Sequence, residues 1–257
     1  MVETNQIITP EWIASAKTRG EKVPILTAYD YPTARLLDEA GLPVILVGDS
    51  VGMVVLGYPD TTQVTLAEIR HHLAAVARAK TRALVVADLP YHTYETPDDA
   101  VINGRVLVDA GARAVKIEGG IEVVPEIREL RQAGIAVMGH IGMLPQRVKE
   151  EGGYKIKGRS DAEKERLLAD ALAVEQAGAF AVVLELIKPE VAREITAALT
   201  IPTIGIGSGP HCGGQILVTH DLVGAFPWFR PKFAIAKADI ASAIRGAAEA
   251  FVRDVRA

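Results

Sequence analysis

VILVGDS (44–50) decides how this chain is read. A run of aliphatic residues proceeds without a polar interruption and stops on an acid and a serine. Strands of a parallel sheet are buried on both faces, so they read as continuous Val/Ile/Leu stretches rather than as an alternation. The same pattern recurs along the chain. LVVAD (84–88) stops at Asp88, AVKIE (114–118) carries Lys116 and Glu118, VMGH (137–140) reaches His140, and AVVLE (181–185) reaches Glu185. A barrel of parallel strands gathers its chemistry at the strands' C-terminal ends. Charged or metal-binding ends repeated in this way imply one shared mouth.

Working outward, strands are expected near 23–28, 44–48, 84–87, 114–118, 136–139, 181–184, 202–206 and 215–218. Helical stretches with start signals lie between them. Thr65-Leu-Ala-Glu68 and Ser160-Asp-Ala-Glu163 have capping-box form. Pro97 and Pro189 stand in first turns followed by acids. Gly41, Gly111, Gly134 and Gly178 each follow an alanine where a helix would close. An extra helix near Pro10–Arg19 is placed at the bottom of the barrel. The reading is a single (β/α)8 TIM barrel domain over 1–257. An open doubly wound sheet would carry a Gly-rich turn after its first strand, where this chain has Tyr29-Asp30-Tyr31-Pro32. The longest irregular stretch, Met143–Arg159, is read as a mobile flap over the site.

Composition narrows the function classes. Lys plus Arg number 28 and Asp plus Glu 32 in 257 residues, for a formal net charge of −4. That balance offers no footprint for nucleic acid or for an anionic membrane. Cys212 is the only cysteine, which excludes an intrachain disulfide and points to a reducing cytoplasm. No signal peptide or membrane span is expected.

Asp49, Asp88 and Glu118 come from successive strands, so a barrel sets them side by side. Three uncompensated carboxylates that close repel strongly, and a hard divalent cation such as Mg²⁺ removes the conflict. Separate salt bridges or helix caps would also account for them. Lys116 shares a strand face with Glu118 and could hold a substrate carboxylate; an internal ion pair with Glu118 is the plainer alternative. Ser50 could donate to the same anion or simply cap a turn. Glu185, in an apolar setting, is the candidate general base, unless Lys188 or an arginine pairs with it. His140 could donate a hydrogen bond to an oxyanion or be structural, and His71, His72, His92 and His211 look like surface or loop residues. Gly205-Ile-Gly207-Ser-Gly209 could cradle an anion, although its glycines also permit a tight turn.

Seven stretches in order then identify a family: LTAYDY (26–31), LVGDSVGM (46–53), VADLP (86–90), VKIEGG (115–120), GHIGMLPQ (139–146), GGYKIKGR (152–159) and IGIGSG (204–209). The set strongly resembles the ketopantoate hydroxymethyltransferases over nearly the whole chain. The resemblance implies a barrel of the phosphoenolpyruvate/pyruvate-binding type, Mg²⁺ dependence and a homo-oligomer, typically a decamer. It also implies one-carbon transfer from 5,10-methylenetetrahydrofolate to 3-methyl-2-oxobutanoate, giving 2-dehydropantoate through a Mg-stabilised enolate. Carried over by motif, Asp49 and Asp88 bind the metal directly, with Glu118 in the same metal site. Ser50 and Lys116 contact the oxo acid, alongside Asp49, Asp88 and His140, and Glu185 is the proton acceptor.

Two departures stand out. Pro210 and Gly213 replace the family's usual Asn and Asp, and the sequence ends at VRDVRA without the usual tail. Both bear on folate binding and subunit contacts rather than on the metal or the base. Three rivals remain: a Mg-dependent 2-oxo-acid lyase or mutase of the same barrel superfamily, a Schiff-base aldolase using Lys116, and a barrel that has lost catalysis.

Overall fold

A computed structural model describes residues 6–257. Eight parallel strands close into a barrel in sequential order: β1 (Val23–Thr27), β2 (Val44–Val47), β3 (Leu84–Asp88), β4 (Ala114–Glu118), β5 (Val137–Gly142), β6 (Ala181–Glu185), β7 (Thr203–Ile206) and β8 (Gly214–Leu217). The expected strands agree with these to within a few residues at each end. Helices α1 (Pro10–Ala14), α2 (Tyr31–Glu39), α3 (Val51–Val54), α4 (Leu66–Ala77), α5 (Pro97–Asp109), α6 (Val124–Gln132), α7 (Asp161–Gln176) and α8 (Pro189–Ala198) interleave with the strands. Two more, α9 (Thr219–Leu222) and α10 (Ile240–Arg256), follow β8.

The start signals act as read, with one difference. Thr65 and Glu68 form a complete reciprocal box at α4. At α7, Ser160 caps the Glu163 amide, while the Glu163 carboxylate reaches back to the Arg159 amide at 2.7 Å. The four turn glycines all adopt positive φ.

Strand parity divides the core. Residues of one parity, among them Ile45, Val47, Val85, Val115, Ile117, Val137, Val182 and Leu184, pack outward against the helices. Residues of the other parity, including Val44, Leu46, Leu84, Val86, Ala114, Met138, Ala181 and Val183, fill the barrel interior. Asp88, Lys116, Glu118, His140 and Glu185 carry this second, inward parity at the C-terminal ends of their strands. Ile8, Ile13 and Ala16 join the interior cluster with Val23, Val44 and Leu84 from the strand starts, so the N-terminal segment does close the barrel's bottom. The helix there is shorter than expected: α1 stops at Ala14 and the chain continues in turns.

The chain divides into two compact units, one running through Ile216 and the other Leu217–Ala257. The second unit is short of apolar interior: α10 buries none of its residues, and Ile244, Phe251 and Val255 on it are exposed. Among the described residues no helix is long and apolar enough to cross a membrane.

Ile13 is fully buried at the closed end of the barrel. Ile13→Ala is therefore expected to lower the unfolding free energy by about 2–5 kcal/mol through lost burial and a residual cavity. Urea denaturation measures this; a loss below about 1 kcal/mol would mean that the segment does not plug the barrel.

Candidate active site

Backbone register places the first contacts. Asp88 is opposite Lys116 across β3 and β4, and Glu118 is opposite His140 across β4 and β5. Lys116 Nζ lies 3.1 Å from Asp88 Oδ1, 3.7 Å from Glu118 Oε1 and 3.3 Å from His140 Nδ1. His140 Nδ1 is 3.3 Å from Glu118 Oε1, and His140 Nε2 is 3.2 Å from Glu185 Oε2. A continuous chain of contacts thus runs from Asp88 to Glu185, all within buried residues.

Asp49 enters from the turn after β2. Its amide donates to Asp88 Oδ2 at 3.0 Å, and its own Oδ2 accepts from Gln146 Nε2 at 2.9 Å. Gly48 makes room for this: a Cβ there would stand 3.3 Å from Asp88 Oδ2 and 3.2 Å from Ser50 Oγ. Ser50 precedes α3 but makes no side-chain cap. Its hydroxyl instead pairs with the Tyr29 hydroxyl at 2.8 Å, which sets its rotamer beside Asp49.

The structure thus brings together Asp49, Ser50, Asp88, Lys116, Glu118, His140 and Glu185. Several partners differ from expectation. Lys116 sits closer to Asp88 than to Glu118. Glu185 meets His140, whereas Lys188 pairs with Glu190 at 3.7 Å. His72 is not a free surface residue, because its Nδ1 donates to the Tyr29 carbonyl at 2.7 Å.

Met143–Arg159 departs from the picture of a free flap. Pro145–Arg147 forms a 3-10 turn at its base, and Gln146 is buried there. Gln146 was not singled out from the sequence, yet it touches two of the candidate acids: Asp49 through Nε2 and Glu118 Oε2 through its backbone amide at 3.1 Å. Further along, the Lys157 amide donates to the Leu186 carbonyl at 2.8 Å, and the Tyr154 hydroxyl is 4.0 Å from Met53 Sδ on α3. The segment is anchored at both ends and reaches over the mouth.

Backbone around the candidate base is tightly specified. Leu186, next to Glu185, holds φ 49°, a region a branched residue rarely visits. Gly142 has φ 101°, and a Cβ on it would come within 2.3 Å of the Glu185 carbonyl. The Gly205–Gly209 loop is shaped by packing: a Cβ on Gly209 would meet Pro189 at 2.8 Å, and Ser208 Oγ bridges the Leu184 carbonyl and the Ile187 amide.

Burial pushes the Asp49 carboxyl well above its ordinary range, and the neighbouring Asp88 and Glu118 add to the shift. Burial raises Asp88 too, with Lys116 opposing. Glu118 moves the other way: burial works against its charge, but His140 and Lys116 outweigh it and hold the carboxyl low. Burial likewise penalises the Lys116 ammonium, yet Asp88, Glu118 and Asp49 together push it up. Burial and Lys116 disfavour a charged His140, but Glu118 and Glu185 carry it up to about 9. Glu185 is raised by burial, partly offset by His140.

This donor set suits a hard divalent ion. Asp49 and Asp88 are adjacent oxygen donors whose charge burial and repulsion disfavour, and the buried Asp88 Oδ1 accepts no well-directed hydrogen bond. Among the described residues no trio of His, Cys, Asp or Glu is arranged around one point for a metal. Asp49 and Asp88 form the adjacent pair, and Glu118 is held by Gln146, His140 and Lys116. Mg²⁺ is commonly bound in this way, through one or two carboxylates with water and substrate completing its shell.

A profile described as Ketopantoate hydroxymethyltransferase matches residues 8–257. The chain belongs to this family. A 3-methyl-2-oxobutanoate hydroxymethyltransferase of Moorella thermoacetica is 52% identical, covering 100% of this chain and 96% of the relative. One of Hyperthermus butylicus is 54% identical over 97% of this chain and 86% of its own length. Among solved structures, phosphonopyruvate hydrolase in complex with oxalate and Mg++ superposes with a TM-score of 0.65 at 15% identity, over 97% of this chain and 88% of that one. A 2,3-dimethylmalate lyase of the PEP mutase/isocitrate lyase superfamily gives 0.61 at 18%, again over 97% and 88%. These likenesses establish the barrel type, and the family establishes a transferase enzyme.

His140 carries a linkage prediction. Its folded pKa of about 9 lies above the ordinary imidazole value of about 6.5, so its contribution to stability is complete below the lower value and lost through the higher one. In metal-free protein the stability advantage of wild type over His140→Asn should fall steadily between about pH 6.5 and about pH 9. Urea titrations across that range test the sign; an advantage growing with pH would mean a neutral imidazole.

Proposed function

We propose that this enzyme transfers a hydroxymethyl group from 5,10-methylenetetrahydrofolate to 3-methyl-2-oxobutanoate, giving 2-dehydropantoate, with Mg²⁺ held by Asp49 and Asp88. The observation that carries the reading is the unbroken contact chain from Asp49 and Asp88 through Lys116, Glu118 and His140 to Glu185, in a chain of this family.

A bound Mg²⁺ would supply Lewis-acid polarisation of the oxo acid's carboxylate and keto oxygen. The chain's own residues do the rest. Lys116, held protonated by three carboxylates, offers a fixed positive charge to the substrate carboxylate, and Ser50 Oγ, oriented by Tyr29, adds a hydrogen bond. Glu185 removes the proton from C3. Its raised pKa brings a carboxylate closer to the proton it must take, and the imidazolium of His140 orients the carboxylate. The resulting enolate carbon bonds to the folate's methylene carbon as one of that carbon's two C–N bonds breaks. Water then displaces the second nitrogen and supplies the hydroxyl, and the two folate nitrogens end with the C3 proton and one proton of the water. The segment 143–159 limits water at the mouth. Lys116 is a poor Schiff-base nucleophile, since its charge is stabilised. A reducing cytoplasm is consistent with the lone, buried Cys212.

The related lyase or mutase reading shares the barrel and differs in the co-substrate. A coupled assay for 2-dehydropantoate separates them: product should require both the folate donor and a divalent cation, and EDTA should abolish it. Folate-independent cleavage of a 2-oxo acid would replace the proposal with its rival. For the base, Glu185→Gln is expected to reduce exchange of the C3 proton by about 10²–10⁴-fold while leaving oxo-acid binding nearly intact. Deuterium washout followed by NMR measures it; wild-type washout in the variant would remove Glu185 from that role.

A further inference from the structure

Gln146 makes more contacts with the acids than a loop amide needs. Its Nε2 donates to Asp49 Oδ2 at 2.9 Å and to the Leu89 carbonyl at 3.0 Å. Its Oε1 accepts from the Tyr94 hydroxyl, and its backbone amide donates to Glu118 Oε2. Leu89 O can only accept, so the atom facing it must be the nitrogen. A flipped amide would set Oε1 against two acceptors and leave the Tyr94 hydroxyl only the Glu118 carbonyl, at 3.4 Å. One orientation satisfies every group. The backbone follows a similar logic, because an amide in the first turn of a 3-10 helix has no partner within that helix and is free for Glu118.

The consequence lies at Asp49. Gln146 occupies Oδ2 and leaves Oδ1 for a cation; on Asp88 the Asp49 amide occupies Oδ2, and Oδ1 faces the Lys116 ammonium at 3.1 Å. Asp49 is thereby reduced to a single available oxygen, which suits an ion that keeps several waters and demands near-octahedral angles. A carboxylate free to rotate could chelate through both oxygens or turn away.

We propose that Gln146 is a positioning residue that fixes Asp49 for one-oxygen coordination of the divalent cation, and that Tyr94 acts only through Gln146 by locking its amide. This rests on the reading of Asp49 and Asp88 as the metal pair. It assigns the GHIGMLPQ stretch a role at the metal rather than at the flap alone. It also places Tyr94, from the loop after β3, behind β2's acid.

Metal binding is measured directly, without substrate or turnover, by titrating the protein with Mn²⁺ and following free Mn²⁺ by electron paramagnetic resonance. Mn²⁺ shares the preference for carboxylate oxygen. Gln146→Met keeps the side chain's length and removes both N–H donors; its Mn²⁺ Kd is expected to rise about 10–100-fold. Tyr94→Phe should weaken binding about fivefold, the net worth of one hydrogen bond. The double variant should bind no more weakly than Gln146→Met, because the hydroxyl then has no amide to orient and keeps only its 3.4 Å contact with the Glu118 carbonyl. Unchanged affinity in a Gln146→Met protein with wild-type circular dichroism overturns the inference, and so does an additive loss in the double variant. Should Gln146→Met fail to fold, Tyr94→Phe decides alone: weakened binding supports the role and wild-type binding refutes it. If wild type itself binds no Mn²⁺, the metal pair falls and this inference with it.

Discussion

The site depends on holding four carboxylates together inside a barrel with only two cations among them. Asp49, Asp88, Glu118 and Glu185 face Lys116 and His140 in a region closed to bulk water. With all groups ionised, two negative charges remain uncompensated. Folding tolerates this because the burden is unevenly shared: Glu118 stays charged beside His140 and Lys116, whereas Asp49 and Asp88 are the acids for which ionisation is most disfavoured. Protons are therefore taken up most readily at these two residues, where the positive charge of a divalent ion would replace them. Lys116 supports the cluster in the absence of metal, and in the proposed reaction the same charge would meet the substrate carboxylate.

Such a cluster requires a rigid frame, because small changes in distance alter every one of these interactions. Parallel strands provide it through register. Pairing of Asp88 with Lys116, and of Glu118 with His140, is set by backbone hydrogen bonds rather than by the side chains that benefit. Parity does the rest, since residues two apart on one strand face the same way, and the interior beneath them is filled by Leu46, Val86, Met138 and Val183. The charged layer sits on an apolar floor, with Ile13 closing the far end.

How much of this the sequence discloses follows from which physical signals are local. Strand positions are legible because burial on both faces demands unbroken aliphatic runs, and the acids are legible because they interrupt such runs at the same place each time. Gln146 and Tyr94 are hidden for the opposite reason. Each is uncharged, lies in irregular chain and acts through hydrogen bonds to residues 97 and 52 positions away in sequence. Their one local trace is Pro145, which starts the turn that buries the amide. Sequence proximity offers Glu118 as a partner for Lys116 and Lys188 as one for Glu185. Lys116 does lie 3.7 Å from Glu118, but cross-strand register adds Asp88 closer to it and brings His140 to Glu185. The extent of the α1 helix was overestimated because capping at Thr9 and Pro10 marks a beginning but nothing nearby marks the end. The division at Ile216 leaves no compositional sign.

Strain completes the picture at Glu185. A left-handed leucine beside it and a glycine whose every replacement would strike its carbonyl fix the backbone of the proposed base from two sides. Both costs are local and would be removed by a looser turn after β6, but that turn would release the Leu186 carbonyl from Lys157 and the Glu185 carbonyl from Met143. The backbone hydrogen bonds that tie segment 143–159 to the barrel are therefore the same ones that fix the chain at Glu185. Any motion that opens that segment must also loosen Glu185, so covering the site and aligning the proposed proton acceptor are coupled through the peptide chain itself.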